Sequence, residues 1–562
     1  MSLTQSHNSI LAFYIERAES ITLNLPAIAR DWDLFFAEGV RKNQESAAME
    51  SLQSSPTFVT TLLVFATGGL FLWSRHARRR AASLPKGVCF PPHVRSWLPY
   101  VGSAIEMGSG ITEFIRKHAI RFQSPVFSAT IMGEKYVFLA DPELLTTVFK
   151  PSVKKYLDDL SLQKQFVARA LGAPSIVGDE LYEPKINKMA HAQYNKFLFQ
   201  GRELEASMSR VQTYFREQTV PSLLKGKNCN GGDNEWTNQP LFEFCVHAIF
   251  KASSHALLSP SLANDETVQN YWNFDKGILH LFNGLPEFVT KSAATARDEL
   301  RKSLRGVDDD PSPLMKERKE TLGMSQGALD TGNLGLLYAA SANSAPAVFW
   351  CFCMLLEHPE AWKACKEQVW KVSNNGDPDF VFSLQDLDNL TNLESAFWET
   401  LRLYSGNFTS RLVVQDFVLE SPHNTKKKFR IEKGTKLMAW WDLLHSDPHV
   451  FDQPELFRFD RFVDKKDTKY TYRSGSSLKH SPIMSFGGGS HLCPGRKFIS
   501  YEIRLFLAML MLNFDFRLLS TPDGDEQQQT YVRPKIDLEH QGIGIAQPDK
   551  DTNVQIRPRR KD

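Results

Sequence analysis

A chain of 562 residues, 42% of them hydrophobic and 11% aromatic, is long enough to bury a large internal site as well as a core. Its formal net charge of +2 gives no electrostatic case for a nucleic-acid partner, and no internal repeat or low-complexity tract interrupts it. The seven cysteines (Cys89, Cys229, Cys245, Cys351, Cys353, Cys365, Cys493) match neither a disulfide framework nor a zinc site, so all but Cys493 read as small hydrophobes in a reducing compartment.

In chain order, residues 1–56 form a tail, acidic on balance, with no readable motif. Phe58 to Trp73 carries no charge, and with its Ser and Thr flanks the segment 57–74 is expected to be a single transmembrane anchor. Arg75, Arg78, Arg79 and Arg80 follow at once and assign that end to the cytosol. The long tail in front argues against a signal peptide. Residues 75–95, basic and proline-rich, read as a stiff linker.

The body, 96–546, is expected to be mainly α with small β-sheets. Strand-like runs VFSATIMG and KYVFLAD come first, then a mostly helical stretch from Pro142 to Asn374. It contains the long apolar helix Gly332 to Glu360, where Pro346 should set a kink. SAFWETLRLY reads as a helix and RLVVQDFVLE as short strands, before a glycine loop and a last apolar helix, KFISYEIRLFLAMLMLNF. The charged tail, 547–562, is expected to be disordered.

The glycine loop is FGGGSHLCPG, residues 486–495. It surrounds the Cys493 thiol with residues that have almost no side chain. A metal-bound thiolate needs positive potential, backbone N–H groups aimed inward and room for a flat cofactor. Gly487, Gly488, Gly489 and Gly495 supply the turn and the room, Phe486 can cover the sulfur, and the helix that follows favours its charge. His491 can reach an anionic group on the cofactor edge. An iron porphyrin ligated by Cys493 fits each requirement.

Phe486-x-x-Gly489-x-His491-x-Cys493-x-Gly495 resembles the haem-binding signature of the cytochrome P-450 superfamily, which more often has Arg at the His491 position. Glu399-x-x-Arg402 resembles its helix pair, and Arg461 in FRFDRF completes what the resemblance implies to be a buried structural triad. Arg411 is implied to donate to a haem propionate. The family's Trp-x-x-x-Arg helix is absent from the stretch YEPKINKMAHAQYNK. Where most members carry Ala/Gly-Gly-x-acid-Thr over the haem, this chain has Ala339, Ala340, Ser341, Ala342 and Asn343. Asn343 and Ser344 are therefore the candidates for catalytic hydrogen bonds on the oxygen side.

This departure, with WLPYVGSAIEMG, FNGLPEF and FRFDRFVD, is similar to the branch holding the sterol 7α- and 12α-hydroxylases and prostacyclin synthase. The resemblance implies a cytochrome P-450 fold behind a transmembrane helix, with heme b ligated by Cys493. Electrons would come from NADPH through NADPH-cytochrome P-450 reductase. It further implies a lipophilic substrate (sterol, steroid or terpenoid) taken from the lipid bilayer, and a single-pass endoplasmic reticulum protein with a cytosolic catalytic domain. Leu336, Ala339, Ala340, Phe408 and Thr409 are the candidate substrate-pocket residues. Three functions follow: a monooxygenase; an isomerase or dehydratase on the same fold, needing neither O2 nor reductase; and a lipid-binding haem protein without turnover. NADPH consumption separates the first from the second.

Overall fold

A computed structural model describes residues 84–98, 100–225, 236–421, 427–464, 469–478, 481–519 and 531–559. The expected anchor, its arginine flank and the N-terminal tail lie outside these residues. The described chain falls into two compact units, one made of residues up to 138 with 415–436 and the other of 139–414 with 437 onward.

In the first unit, strands Val126–Ile131 and Glu134–Leu139 pair around Met132 and Gly133. Both turn residues have positive φ (51° and 78°), as a two-residue type I′ connection requires. The helix Ile111–Phe122 packs on this hairpin. Phe127 and Phe138 stack at 5.1 Å, and Phe114 meets Phe138 edge-on at 5.5 Å. A second sheet joins Val88–Cys89, Lys428–Ile431 and Phe417–Glu420. Along the last strand Phe417 and Leu419 are buried while Val418 and Glu420 are exposed, the alternation of a half-buried strand.

The second unit holds the site. Its main elements are β1 (Thr237–Pro240), α1 (Leu241–Leu257), α2 (Asp265–Asn283), α3 (Glu287–Arg305), α4 (Gln326–Ser341), α5 (Ser344–Glu357), α6 (Thr391–Tyr404), β2 (Ser405–Val413), β3 (Lys436–Trp440), α7 (Asp442–His445), α8 (Arg496–Asn513), β4 (Phe514–Leu518), β5 (Ile543–Ile545) and β6 (Asn553–Pro558). Helix α5 is apolar all round and packs on α1, α6 and α8, so it is the centre of the core. Gln326–Glu357 is long and apolar enough to cross a membrane, but 83% of its most apolar window is buried, as in a core helix.

Two expectations are corrected. The long helix expected from Gly332 to Glu360 breaks at Ala342 and Asn343, not at Pro346. A proline ring clashes with the carbonyl four residues earlier and cannot donate to it, so Pro346 moves the break back to Ala342. The C-terminal tail is not disordered throughout: β6 pairs with β4 and β1 in one sheet. Val554 and Ile556 face inward at 0% and 3% exposure, and the polar Gln555 between them and Arg557 beyond alternate with them along the strand.

Candidate active site

The loop from Met484 to Arg496 sits between β3–α7 and the start of α8. Gly487 and Gly489 hold φ of 72° and 61°, a conformation that side-chain-bearing residues rarely adopt. Gly488 has no room for a side chain, because a Cβ there would lie 2.8 Å from the Phe149 ring and 2.9 Å from Met484. Phe149 in turn stacks flat on Trp441, with ring centres 5.6 Å apart. The Cys493 N–H donates to the Phe486 carbonyl at 2.9 Å, closing the loop, and Phe486 meets Trp398 edge-on at 5.5 Å. Burial pushes the Cys493 thiol up, while the backbone N–H groups of Gly495 and Arg496 and the Arg496 charge pull the other way. A metal bound there would displace that proton and so favour the thiolate.

Buried charge braces this loop from behind. Glu399 accepts from Arg402 Nε and Nη2, both at 2.8 Å, and from Arg461 Nε at 2.9 and 3.0 Å. Glu399 and Arg402 are three apart on α6 and 0% and 1% exposed. Arg402 also donates to the carbonyls of His445 and Pro454 at 2.8 and 2.6 Å. The His445 ring then reaches the loop itself: its Nε2 accepts from the Met484 N–H at 3.0 Å. Burial and the Arg402 charge push that imidazole down to about 3, so it stays neutral and can act as an acceptor. Asn407 Nδ2 donates to the Met484 and Ser485 carbonyls, and Ser405 Oγ bonds Ser485 Oγ at 2.5 Å. The triad expected from Glu399, Arg402 and Arg461 is thus one assembly that fixes the residues leading into the thiol loop.

A small cavity of about 20 Å³ lies at the loop's cationic end, lined by Phe149, Lys154, Asp159, Arg411 and His491 among others. Residues Leu157 and Asp158 pair antiparallel with Val413 and Leu412 of β2, which brings this segment beside Arg411. The Arg411 guanidinium donates to the Ser410 carbonyl at 2.9 Å and, among the described residues, is paired with no carboxylate. Burial lowers its pKa, against the attraction of Asp159 and Asp158. His491 bonds Asp159 through Nε2 at 2.6 Å and Gln163 through Nδ1 at 3.0 Å. Burial, with Arg411 and Lys154, lowers the imidazole; burial alone would raise Asp159, but His491 and Lys154 hold it down. Both ring nitrogens of His491 are thus engaged, one by Asp159 and the other by Gln163. Sequence reasoning missed Lys154, Asp159 and Gln163, which no motif marks.

At the helix break, Asn343 Oδ1 accepts from the Ile545 N–H of β5 at 2.8 Å. The Ser344 hydroxyl donates to the Ala340 carbonyl at 2.8 Å. Both oxygens expected to serve catalysis are therefore engaged, which leaves the Asn343 Nδ2 hydrogens as the donor these two residues can offer elsewhere. Leu336 and Ala340 are buried, whereas Ala339 is the only exposed residue from Ala328 to Leu355. The Thr409 hydroxyl accepts from Trp441 Nε1 at 3.1 Å and is 7% exposed, so it serves packing. Phe408 lies against Gly542, the residue just before β5, its ring 3.0 Å from where a Cβ there would stand.

These residues fit an iron porphyrin. Cys493 is a desolvated soft donor faced by two backbone N–H groups, a Cβ on Gly495 would stand 3.9 Å from its sulfur, and Arg411 offers an acidic edge a cation that is bonded to no carboxylate among the described residues. Among the described residues no cluster of His, Cys, Asp and Glu suits a bare metal ion. Comparison with known proteins agrees with the geometry. The family model for cytochrome P450 matches residues 161–540. The chain is 27% identical to mouse (Mus musculus) cytochrome P450 7B1 over 90% of its own length and 97% of that protein's. It is 29% identical to pig (Sus scrofa) cytochrome P450 7A1, covering 83% and 93%. It is 26% identical to rabbit (Oryctolagus cuniculus) 7-alpha-hydroxycholest-4-en-3-one 12-alpha-hydroxylase, again covering 83% and 93%. With its thiol loop, buried triad and core helices all inside or beside the matched region, the chain belongs to the cytochrome P450 family of haem-thiolate monooxygenases.

Proposed function

We propose that this protein hydroxylates a sterol, at the endoplasmic reticulum membrane, with electrons from NADPH-cytochrome P-450 reductase. One observation carries the chemistry: the Cys493 thiol sits in a glycine turn held by a buried charge triad. The substrate class rests on the relatives, whose names include cholesterol 7-alpha-monooxygenase and a 12-alpha-hydroxylase. The uncharged segment Phe58 to Trp73 suits a substrate that partitions from the bilayer.

Haem bound through Cys493 supplies activation of O2, one atom of which enters the substrate while the other leaves as water. The chain's own residues bind and orient. The backbone N–H groups of Gly495 and Arg496 stabilise negative charge on the sulfur. Arg411 and Lys154 line the end that would take the cofactor's acidic groups, where His491 is held by Asp159 and Gln163. Ala339 gives an open surface on the helix over the site, with Phe408 as a wall from β2. Neither Asn343 nor Ser344 is an acid, so protons must reach the site through water held by such groups.

The test is turnover by the purified full-length holoprotein with reductase and NADPH, across a panel of sterols. Hydroxylated product in step with NADPH use is expected. An oxygenated lipid rearranged at the same rate without NADPH or O2 would overturn the reading in favour of an isomerase.

A further inference from the structure

At the helix break the Asn343 side chain reaches across to a strand more than 200 positions away. The contact is close. A Cβ built on Gly544 would lie 1.8 Å from Asn343 Oδ1, 2.6 Å from its Cγ and 2.9 Å from its Nδ2. These are the three nearest atoms, so the carboxamide stands directly over the Gly544 backbone. Gly544 is not among the positive-φ glycines, hence its smallness serves the approach of Asn343 and not the backbone conformation. The same strand is held on its other edge by β2, with Gly544 opposite Gly406 and Ile545 opposite Ser405. One residue further on, Trp350 of α5 donates from Nε1 to the Ala546 carbonyl at 2.7 Å. Trp350 is itself stacked on Tyr404 at 4.1 Å.

We propose that Asn343 is a positioning residue: its carboxamide oxygen latches strand β5 to the helix break, and Gly544 is the slot that admits it. The latch fixes β5 relative to α4, whose open residue Ala339 lies one turn before Asn343. The substrate side of the site is therefore set by an amide-to-backbone bond at the place where other members of the family carry an acid and an alcohol. This assignment rests on reading the helix break as the wall of the substrate site; the bond itself does not.

The arrangement predicts reciprocal rescue. Asn343→Ala removes the latch. Gly544→Ala drives the carboxamide out of its slot and removes the same bond by another route. In the double variant the three atoms nearest the new methyl are gone. Four full-length holoproteins are compared: wild type, N343A, G544A and N343A/G544A. Thermal unfolding midpoints should fall in both single variants, and N343A should raise the midpoint when introduced into G544A. Additive losses would overturn the latch. Binding of clotrimazole, a bulky azole that ligates the iron of haem-thiolate proteins whatever their natural substrate, reads the positioning. Its dissociation constant should rise at least fivefold in G544A and recover at least half of that change in the double variant. An unchanged azole affinity in G544A would reduce the latch to a purely structural bond and overturn the positioning role. If sterols give no spectral shift with the wild type, the proposed substrate fails, while the unfolding and azole results still decide this inference.

Discussion

The thiol loop and the helix break are held in different ways. The loop is over-determined. Three side chains, His445, Asn407 and Ser405, anchor Met484 and Ser485, and behind them a fully buried carboxylate ties two arginines together. The break depends on few side-chain bonds: Asn343 to Ile545, Ser344 of α5 back to Ala340 of α4, and Trp350 to Ala546. A ligand that must keep one geometry through every turnover calls for redundant support. A wall that sets which molecule fits can rest on one contact, and a change there alters the fit and leaves the metal centre intact.

The largest effect should come from breaking the loop's single irreplaceable atom. Cys493→Ser keeps size and hydrogen bonding but replaces a soft thiolate with a hydroxyl. The red-shifted ferrous–CO band that a thiolate ligand gives should disappear completely, as read by difference spectroscopy. Its survival would remove the thiol from the site. No substitution at the helix break should have this result, and N343A in particular should keep the band.

What was legible in the sequence divides along the same line. Glu399 and Arg402 are three apart on one helix, and the loop residues are contiguous, so their meeting is local and a motif can carry it. The mainly helical body and the apolar helix α8 follow from periodicity in the same way. By contrast, the partner of Asn343 is a backbone N–H 202 positions on, and that of His491 is a carboxylate 332 positions back. Such contacts exist only after the topology has formed. Strand β6 was hidden for a related reason: its short alternation of Val554 and Ile556 lies among charges, and only β4 and β1 turn it into a sheet. The family's propionate helix is absent from the stretch expected to hold it, Tyr182–Lys196, while Lys154, reached through the pairing of Leu157 with Val413, lines the cavity.

A second way to sharpen the comparison is to unbalance the brace. Glu399→Gln removes one charge and leaves Arg402, 1% exposed, as a buried cation without its counter-ion. Such a change costs about 3–5 kcal/mol. Urea unfolding of the holoprotein should report a loss of that order, with haem released from the least stable fraction. A loss below about 1 kcal/mol, the range of exposed ion pairs, would mean that the triad does not brace the loop.

The smallest effect concerns acid. In the folded protein the His445 imidazole is pushed down to about 3 by burial and by Arg402; unfolded, it titrates near 6.5. As pH falls below about 6.5 the unfolded chain takes up a proton that the folded chain refuses. The stability His445 contributes is thus fully present above that pH and is lost progressively toward 3. At pH 5 the loss is about 2 kcal/mol. His445→Gln keeps an acceptor for the Met484 N–H but cannot titrate. Its unfolding free energy should match the wild type within about 1 kcal/mol at pH 7, the worth of one neutral hydrogen bond, and exceed it at pH 5. The helix break supplies the control. Asn343, Ser344, Gly544 and Ile545 carry no titratable side chain, so G544A should lose as much stability between pH 7 and pH 5 as the wild type does. Equal acid losses in wild type and His445→Gln would instead place the acid sensitivity outside the loop's support.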